Sequence, residues 1–99
     1  MIQLNTREKE ISNFTIDSIV GESLTVEEQL IFGFNRYVSR CIISQRKKLN
    51  MTQEELARRS GVSRVTISAI EKRKRIVSTE ILLKLLHALN LSVSFVEQG

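Results

Sequence analysis

The spacing of four residues in the middle of the chain constrains its fold more than any other feature. Ala57 stands four residues before Gly61, while Ile67 and Ile70 follow Gly61 by six and nine residues. Glycine enters the left-handed backbone region without a steric penalty, so Gly61 permits a sharp turn between two helices. The small Ala57 lets the second helix cross closely, and the two isoleucines anchor one face of that helix to a core. The spacing therefore predicts two short helices joined by a tight turn, with the other face of the second helix pointing outward.

Capping residues predict where the helices begin. Thr25–Glu28 and Thr52–Glu55 each read Thr-x-x-Glu, the pattern of a capping box. Ser63 and Ser78 are good N-caps for two further helices. The first capping box opens a long amphipathic pattern, which predicts one helix or two helices hinged near Gly33. The chain from residue 25 onward is therefore expected to be mainly α-helical.

The two ends of the chain differ from this helical region. Residues 91–97 alternate apolar side chains with serines, which predicts a strand. Residues 1–24 include the β-branched stretch Ile11–Val20, for which a strand and a disordered segment are both reasonable. We therefore divide the chain into an N-terminal extension, 1–24, and one helical domain, 25–99, that ends in the strand. A chain of 99 residues supplies one modest core and not two.

Charge is distributed unevenly along the chain. Residues 1–35 carry a net charge of −4, whereas residues 36–75 hold twelve basic and three acidic side chains and carry +9. Such a concentration of cations is typical of a surface that binds a polyanion. A solvated basic face has the same composition, so charge alone leaves both interpretations open.

Residues suited to catalysis or metal binding are sparse. Cys41, the single cysteine, excludes an internal disulfide and lies on an apolar helical stripe, where we expect a core residue. His87, the single histidine, has no companions for a metal site or a catalytic triad. We expect no enzymatic activity, no metal and no cofactor. No apolar run approaches the ~18 residues of a membrane span and the N-terminus lacks a signal-peptide pattern, so we expect a cytoplasmic protein without membrane contact.

Arg64 carries a charge that its predicted position disfavours. It follows the N-cap Ser63 and so lies in the first turn of a helix, where the macrodipole disfavours a cation by roughly 0.3–1 kcal/mol. A partner outside the helix would explain this arginine. An arginine at the start of a helix that enters the major groove can bind guanine O6 and N7, or a flanking phosphate. The outward face of the second helix is therefore the candidate binding surface.

These features together resemble the helix-turn-helix domain of the Cro and phage-repressor type, the XRE family. The resemblance covers residues 36–91, and its matching stretches read IISQRKKLNMTQEELARRSGVSRVTISAIEKRKR and LLKLLHALNLS. The resemblance implies a mainly α, four- to five-helix, lambda-repressor-like domain that binds double-stranded DNA. Its recognition helix, expected over residues 63–74, would enter the major groove.

The resemblance also implies roles for individual residues. The positions that read bases are Arg64, Val65, Thr66, Ser68 and Ala69. The positions that contact the DNA backbone are Thr52, Gln53, Ser63, Lys72, Arg73, Lys74 and Arg75. Arg46 and Glu71 match a structural ion pair that ties the first helix to the end of the recognition helix.

The chain departs from the family pattern at both ends. Strand 91–97 replaces the fifth helix of many members, and its unpaired edge needs a partner. We expect a homodimer in which this strand pairs across the subunits; the stretch Ile11–Val20 is a rival partner. The acidic N-terminal part, residues 1–35, resembles that of the antidote proteins of toxin–antitoxin pairs. Residues 1–24 are then a candidate toxin-binding segment, with a dimerisation or packing arm as the plainer interpretation. We therefore expect a dimeric repressor on a palindromic operator, with an antitoxin that neutralises a toxin and autoregulates its operon as the alternative.

Overall fold

The computed structural model describes residues 2–4 and 24–97 of the chain. Within them the elements are β1 (Ile2–Leu4), α1 (Val26–Lys48), α2 (Gln53–Ser60), α3 (Arg64–Glu71), α4 (Thr79–Ala88) and β2 (Val93–Phe95). The predicted mainly α fold with a C-terminal strand is confirmed. The stretch Ile11–Val20 lies outside the described residues, so its predicted state is not tested.

Helix α1 begins with a complete capping box, as predicted. Thr25 Oγ1 accepts a hydrogen bond from the Glu28 N–H at 3.1 Å, and Glu28 Oε1 accepts one from the Thr25 N–H at 3.0 Å. The hydrogen bonds from Thr25 stabilise the carboxylate and lower the pKa of Glu28. The helix continues through Gly33 without interruption, so of the two predicted arrangements the single helix is correct.

The second predicted capping box forms only in part. Thr52 Oγ1 accepts from the Glu55 N–H at 3.0 Å, but the Glu55 carboxylate binds Arg58 and Arg59 in place of the Thr52 N–H. The two arginines lie one turn further along the same helix and compete successfully for the carboxylate. Helices α3 and α4 begin at the predicted N-caps, Ser63 and Ser78.

Helix α3 ends earlier than the predicted limit of residue 74. Its last residue is Glu71, and Arg73 adopts a left-handed conformation with a φ of 59°. The Arg73 N–H bonds to the Ile70 carbonyl at 3.0 Å and the Lys74 N–H to the Ala69 carbonyl at 2.8 Å, the two bonds of a Schellman motif. The chain therefore leaves the helix axis at Arg73. Residues 72–74 belong to the turn that follows α3.

All four helices contribute side chains to one core. Leu56 of α2, Ile67 of α3 and Leu85 of α4 are completely buried, and Ala57 is partly buried against them. Burial of a side chain of this size stabilises the fold by about 1.5–3 kcal/mol. Cys41 of α1 belongs to the same core, as predicted, and its burial raises the pKa of the thiol to about 11. The core holds α3 in place by one face.

The two strands form a small antiparallel sheet. Ile2 lies opposite Phe95, and Leu4 lies opposite Val93. Residues 2–4 therefore pair with β2 within the same chain, a partner that the sequence did not predict. Pairing across a dimer stays a prediction, and it now concerns an edge that this pairing leaves open. The strand is also shorter than the predicted 91–97, and Phe95 is 78% exposed.

Candidate nucleic-acid interface

Helix α3 presents its unburied face to solvent because two isoleucines fix the opposite face. Ile67 is completely buried and Ile70 is 3% exposed, as their spacing predicted. Val65, on the outward face, is 76% exposed. An aliphatic side chain so exposed contributes little to the core, and it is available for an apolar contact such as that with a thymine methyl group.

The outward face of α3 forms one wall of a shallow groove, which we call the recognition groove. The groove has a volume of about 240 Å³ and is lined by Arg64, Val65, Ser68, Ala69, Lys72 and Lys74. Four of the five predicted base-reading residues therefore lie together. Two of the predicted backbone-contacting cations lie at one side of them.

Thr66, the fifth predicted base-reading residue, does not line this groove. It is partly buried, and its Oγ1 accepts a hydrogen bond from Ser63 Oγ at 2.9 Å. Ser63 Oγ also accepts from the Thr66 N–H at 3.1 Å, which completes the N-cap. The Ser63 hydroxyl thus already donates to Thr66, so a phosphate contact made by this hydroxyl requires that bond to break. Both predicted DNA contacts remain predictions.

Arg64 occupies the first residue of α3, as predicted. No acidic side chain lies in this first turn, and Arg64 pairs with no carboxylate among residues 24–97. Its charge therefore opposes the helix macrodipole without compensation from the described part of the chain. The arginine lies at the end of the helix where an incoming anion is favoured twice, by the macrodipole and by the guanidinium group.

The predicted ion pair between Arg46 and Glu71 forms and fixes the far end of α3. Arg46 Nε lies 2.8 Å from Glu71 Oε2, and Arg46 Nη2 donates to Glu71 Oε1 at 3.0 Å. The side chains are 13% and 7% exposed, and Arg46 Nη1 also donates to the Met51 carbonyl at 2.9 Å. Ser39 Oγ of α1 donates to the Glu71 carbonyl at 3.0 Å. Paired and multiply hydrogen-bonded in this way, the Glu71 carboxylate fixes the end of α3 against α1.

Gln53 takes part in the same network. Its Nε2 donates to Glu71 Oε1 at 3.0 Å, so one amide proton is directed into the protein. The other amide proton and the Gln53 N–H at the start of α2 remain for the predicted phosphate contact. Thr52 is exposed, and its Oγ1 already accepts from Glu55 as the N-cap.

The remaining predicted backbone-contacting cations follow α3 directly. Arg73, Lys74 and Arg75 are all exposed, and none pairs with a carboxylate in the described ranges. Arg36 of α1, which was not among the predicted site residues, lines a second groove beside these three residues. The basic region 36–75 and the range of the resemblance, 36–91, both include Arg36, but it lies six residues ahead of the matching motif stretch, so no role was assigned to it.

Other kinds of site find no support in the described part of the chain. Residues 2–4 and 24–97 contain no cluster of three or more His, Cys, Asp or Glu side chains that is placed to hold a metal ion. The helices described here include none with the length and apolarity needed to cross a membrane.

Comparison with protein families gives a match over more than half of the chain. A family model described as Helix-turn-helix covers residues 42–96, which extend from the second half of α1 through β2. Comparison with curated proteins and with solved structures gives no match. The matched residues include the whole recognition groove, whereas Arg36 precedes them.

Proposed function

The chain belongs to the XRE-type helix-turn-helix family of DNA-binding transcription regulators, and from this premise we propose that it is a dimeric repressor of a palindromic operator. The outward face of α3 would read the operator from the major groove. The observation that carries this proposal is the recognition groove, where Arg64 stands uncompensated beside the exposed Val65. Families of this kind regulate and do not catalyse, and we place the protein with the chromosome in the cytoplasm.

Base reading would be divided between polar and apolar contacts. Arg64 lies at the helix N-terminus, the end that approaches base edges in this class of motif, and is long enough to bind guanine O6 and N7 with two hydrogen bonds. Val65 would contact a thymine methyl group. Ser68 and Ala69 are small, which lets the helix axis approach the floor of the groove.

Backbone contacts would fix the register of α3 on the duplex. The N-terminus of α2, with Thr52 and Gln53, offers free N–H groups and the positive end of a macrodipole to a phosphate. Lys72 and the exposed cations that follow it would contact the phosphates at the other end of α3. Contacts at both ends of the recognition helix restrict how it tilts in the groove.

A dimer would place two recognition helices on the two halves of the operator. Their centres would be about one helical turn, ~34 Å, apart. The two-stranded sheet supports this proposal, because an isolated pair of strands is marginally stable and its open edges invite further pairing. Light scattering at micromolar concentration tests it: we expect twice the monomer mass, and a monomeric mass would contradict the dimer.

The decisive experiment measures binding to DNA from the protein's own promoter region and to random DNA across a salt series. We expect a preference of ~10³-fold or more with a steep salt dependence. Arg64→Ala should lose ~1–3 kcal/mol of operator binding and relax specificity at one base pair.

Arg58→Ala is the matched control for this experiment. It removes the same charge from α2, where Arg58 already pairs with Glu55, and should leave specificity unchanged. If the two variants weaken operator and random DNA alike, α3 does not read bases as proposed.

A second candidate function, neutralisation of a toxin, is supported by apolar side chains on the first turns of α1. Val26, Leu30, Ile31 and Phe32 are 54%, 38%, 46% and 49% exposed. Exposed apolar side chains grouped in this way are typical of protein interfaces. Purification from the source cell tests this candidate. Recovery of no specific partner, or equal recovery by a Leu30→Glu variant, would contradict it while leaving DNA binding untouched.

A further inference from the structure

We propose that Arg36, outside the family motif, binds the DNA phosphate backbone together with the cations that follow α3, and so extends the contact beyond the recognition helix. This inference rests on the proposed function, since it concerns the same DNA duplex. The surface is a groove between α1 and the turn after α3, which we call the basic groove. Its lining residues are Phe32, Asn35, Arg36, Arg73, Lys74, Arg75 and Ile76.

Hydrogen bonds join the two walls of the basic groove. It encloses about 440 Å³ between one face of α1 and the turn. Asn35 joins the two walls, because its Oδ1 accepts from the Val77 N–H at 2.9 Å while its Nδ2 donates to the Ile31 carbonyl at 2.8 Å. The Schellman motif at Arg73 fixes the other end of the turn. The cations therefore project from a backbone that is held at both ends.

The charge of the basic groove has no counterpart in the described residues. Four of its seven lining residues are arginine or lysine, and none is acidic. None of these four cations pairs with a carboxylate among residues 24–97. The carboxylates of Glu55, Glu71 and Glu80 pair with other cations. Four like charges around one cavity repel one another, and an anion that enters the cavity relieves this repulsion.

Continuity with the recognition groove identifies the anion as the DNA backbone. Lys74 lines both grooves. A duplex that lies against α3 therefore continues past Lys74 along the basic groove, and its regularly spaced phosphates lie within reach of the cations there. An acidic polypeptide would also neutralise the charge of the basic groove. It would not, however, explain why the basic groove adjoins the recognition groove on α3. Of the four cations of this surface, Arg36 is the one that lies outside the family match, residues 42–96.

The test compares Arg36→Gln with Arg40→Gln. Both arginines are exposed residues of α1, so the two variants change charge and helix propensity equally, but Arg40 does not line the groove. We expect Arg36→Gln to weaken binding to operator and random DNA by the same factor, roughly tenfold, as for loss of one charged hydrogen bond. The slope of log affinity against log salt should flatten by about one. Arg40→Gln should leave the slope unchanged, and Arg36→Lys should retain it.

Phosphate ethylation interference gives the position of the contact. The parent should show an interfering phosphate that Arg36→Gln loses, while interference at the phosphates contacted by α2 remains. An unchanged slope and pattern in Arg36→Gln, with operator preference intact, would overturn this inference and leave the proposed function standing. Equal effects of the two variants would also overturn it, because net charge would then explain both.

Two further outcomes separate the remaining explanations. If Arg36→Gln binds DNA as the parent does but loses affinity for poly-glutamate, the groove serves an acidic polypeptide and the inference is wrong. If the parent shows no operator preference and Arg64→Ala changes nothing, the proposed function itself fails. Thermal melting of each variant, expected to match the parent because both arginines are exposed, confirms that folding is not the cause.

Discussion

The turns on either side of α3 bend the chain through the same backbone conformation with very different residues. Before α3 the left-handed residue is Gly61, with a φ of 78°, and after α3 it is Arg73, with a φ of 59°. Glycine adopts this conformation freely, whereas a residue with a Cβ is disfavoured by roughly 1–2 kcal/mol. The other two helices of the described part, α1 and α4, are followed by left-handed Asn50 and Asn90, and asparagine also tolerates this region. Arg73 is the exception among these four positions.

The cations near the two turns also differ, because those near the first turn pair with a carboxylate and those near the second do not. Before Gly61, Arg58 and Arg59 both pair with Glu55, and Arg59 Nε lies 2.6 Å from Glu55 Oε2. After α3, residues 73–75 pair with no carboxylate of residues 24–97. The arginines next to the first turn thus already have a carboxylate partner within the protein. The second turn holds an arginine in a disfavoured conformation, and its charges have no carboxylate partner in the described residues, as the proposed phosphate contact would require.

The largest effect is expected from removing the anchor of the second turn. Glu71→Ala should lower the free energy of unfolding by about 3–5 kcal/mol, because it leaves Arg46 buried without its partner. Urea denaturation measures this change. The double variant Arg46→Met, Glu71→Leu removes both charges and should recover much of the loss. A loss below about 1 kcal/mol for Glu71→Ala would show that the pair does not hold α3.

The next effect tests the first turn. Gly61→Ala should destabilise the fold by roughly 1–2 kcal/mol through backbone strain alone, since an added Cβ meets no atom within 4 Å. Operator affinity at a temperature where the variant is folded should equal that of the parent. Arg73→Ala is the matched control: the native residue already has a Cβ, so no new strain arises and unfolding should change little. Equal destabilisation by the two alanines would contradict the distinction between the turns.

The elements around the first turn were predictable from sequence because their signals are local. The N-caps at Thr25, Ser63 and Ser78, the turn at Gly61 and the buried face of Ile67 each depend on residues within one or two helical turns. Local signals also place Arg64 at the start of α3. The ion pair with Glu71 followed from the family resemblance and not from local pattern.

The second turn was not predictable, because tertiary contacts decide it. The resemblance implied a recognition helix that continues to residue 74. Residues 72–75 are lysines and arginines, which are good helix formers, so no local signal ends α3 at Glu71. The helix ends earlier because two contacts with α1 fix the chain on either side of the turn. Glu71 pairs with Arg46, and the Val77 N–H donates to Asn35 Oδ1. Arg36 was missed for the same reason: its proximity to this turn arises from packing. The pairing of residues 2–4 with β2 joins the two ends of the chain and has no local signal.

A substitution at the left-handed position of the second turn should move stability and binding in opposite directions. Arg73→Gly removes the backbone strain but also makes the unfolded chain more flexible, which opposes folding. The free energy of unfolding should still rise by a few tenths to about 1 kcal/mol. Affinity for operator and random DNA should fall together, with a salt slope lower by about one. Arg73→Asn serves as the control that tolerates the conformation without the charge, and its binding should match that of the glycine variant. A glycine variant that keeps full affinity would show that Arg73 is no phosphate contact.

The smallest effect is a pH dependence confined to the first turn. Hydrogen bonds from Arg58, and then from Arg59, lower the pKa of Glu55 below its ordinary value. A carboxyl group with a lowered folded-state pKa stabilises the fold above its unfolded pKa, and this contribution is lost as pH falls through the folded value. Glu55→Gln should therefore be slightly less stable than the parent at pH 7, and the two unfolding curves should converge at acidic pH. Salt should reduce the difference, because the paired arginines are exposed.

The corresponding comparison at the second turn should show no such convergence. Because residues 73–75 pair with no carboxylate of residues 24–97, the stability difference between Arg73→Gly and the parent should stay constant over the same acidic range. Paired urea titrations at pH 7 and at successively lower pH measure both differences. If the stability difference between Arg73→Gly and the parent instead disappeared at acidic pH, as expected for Glu55→Gln, a carboxylate of the chain would neutralise this turn. The turn would then be satisfied internally, as the first one is, and its cations would not be held ready for DNA.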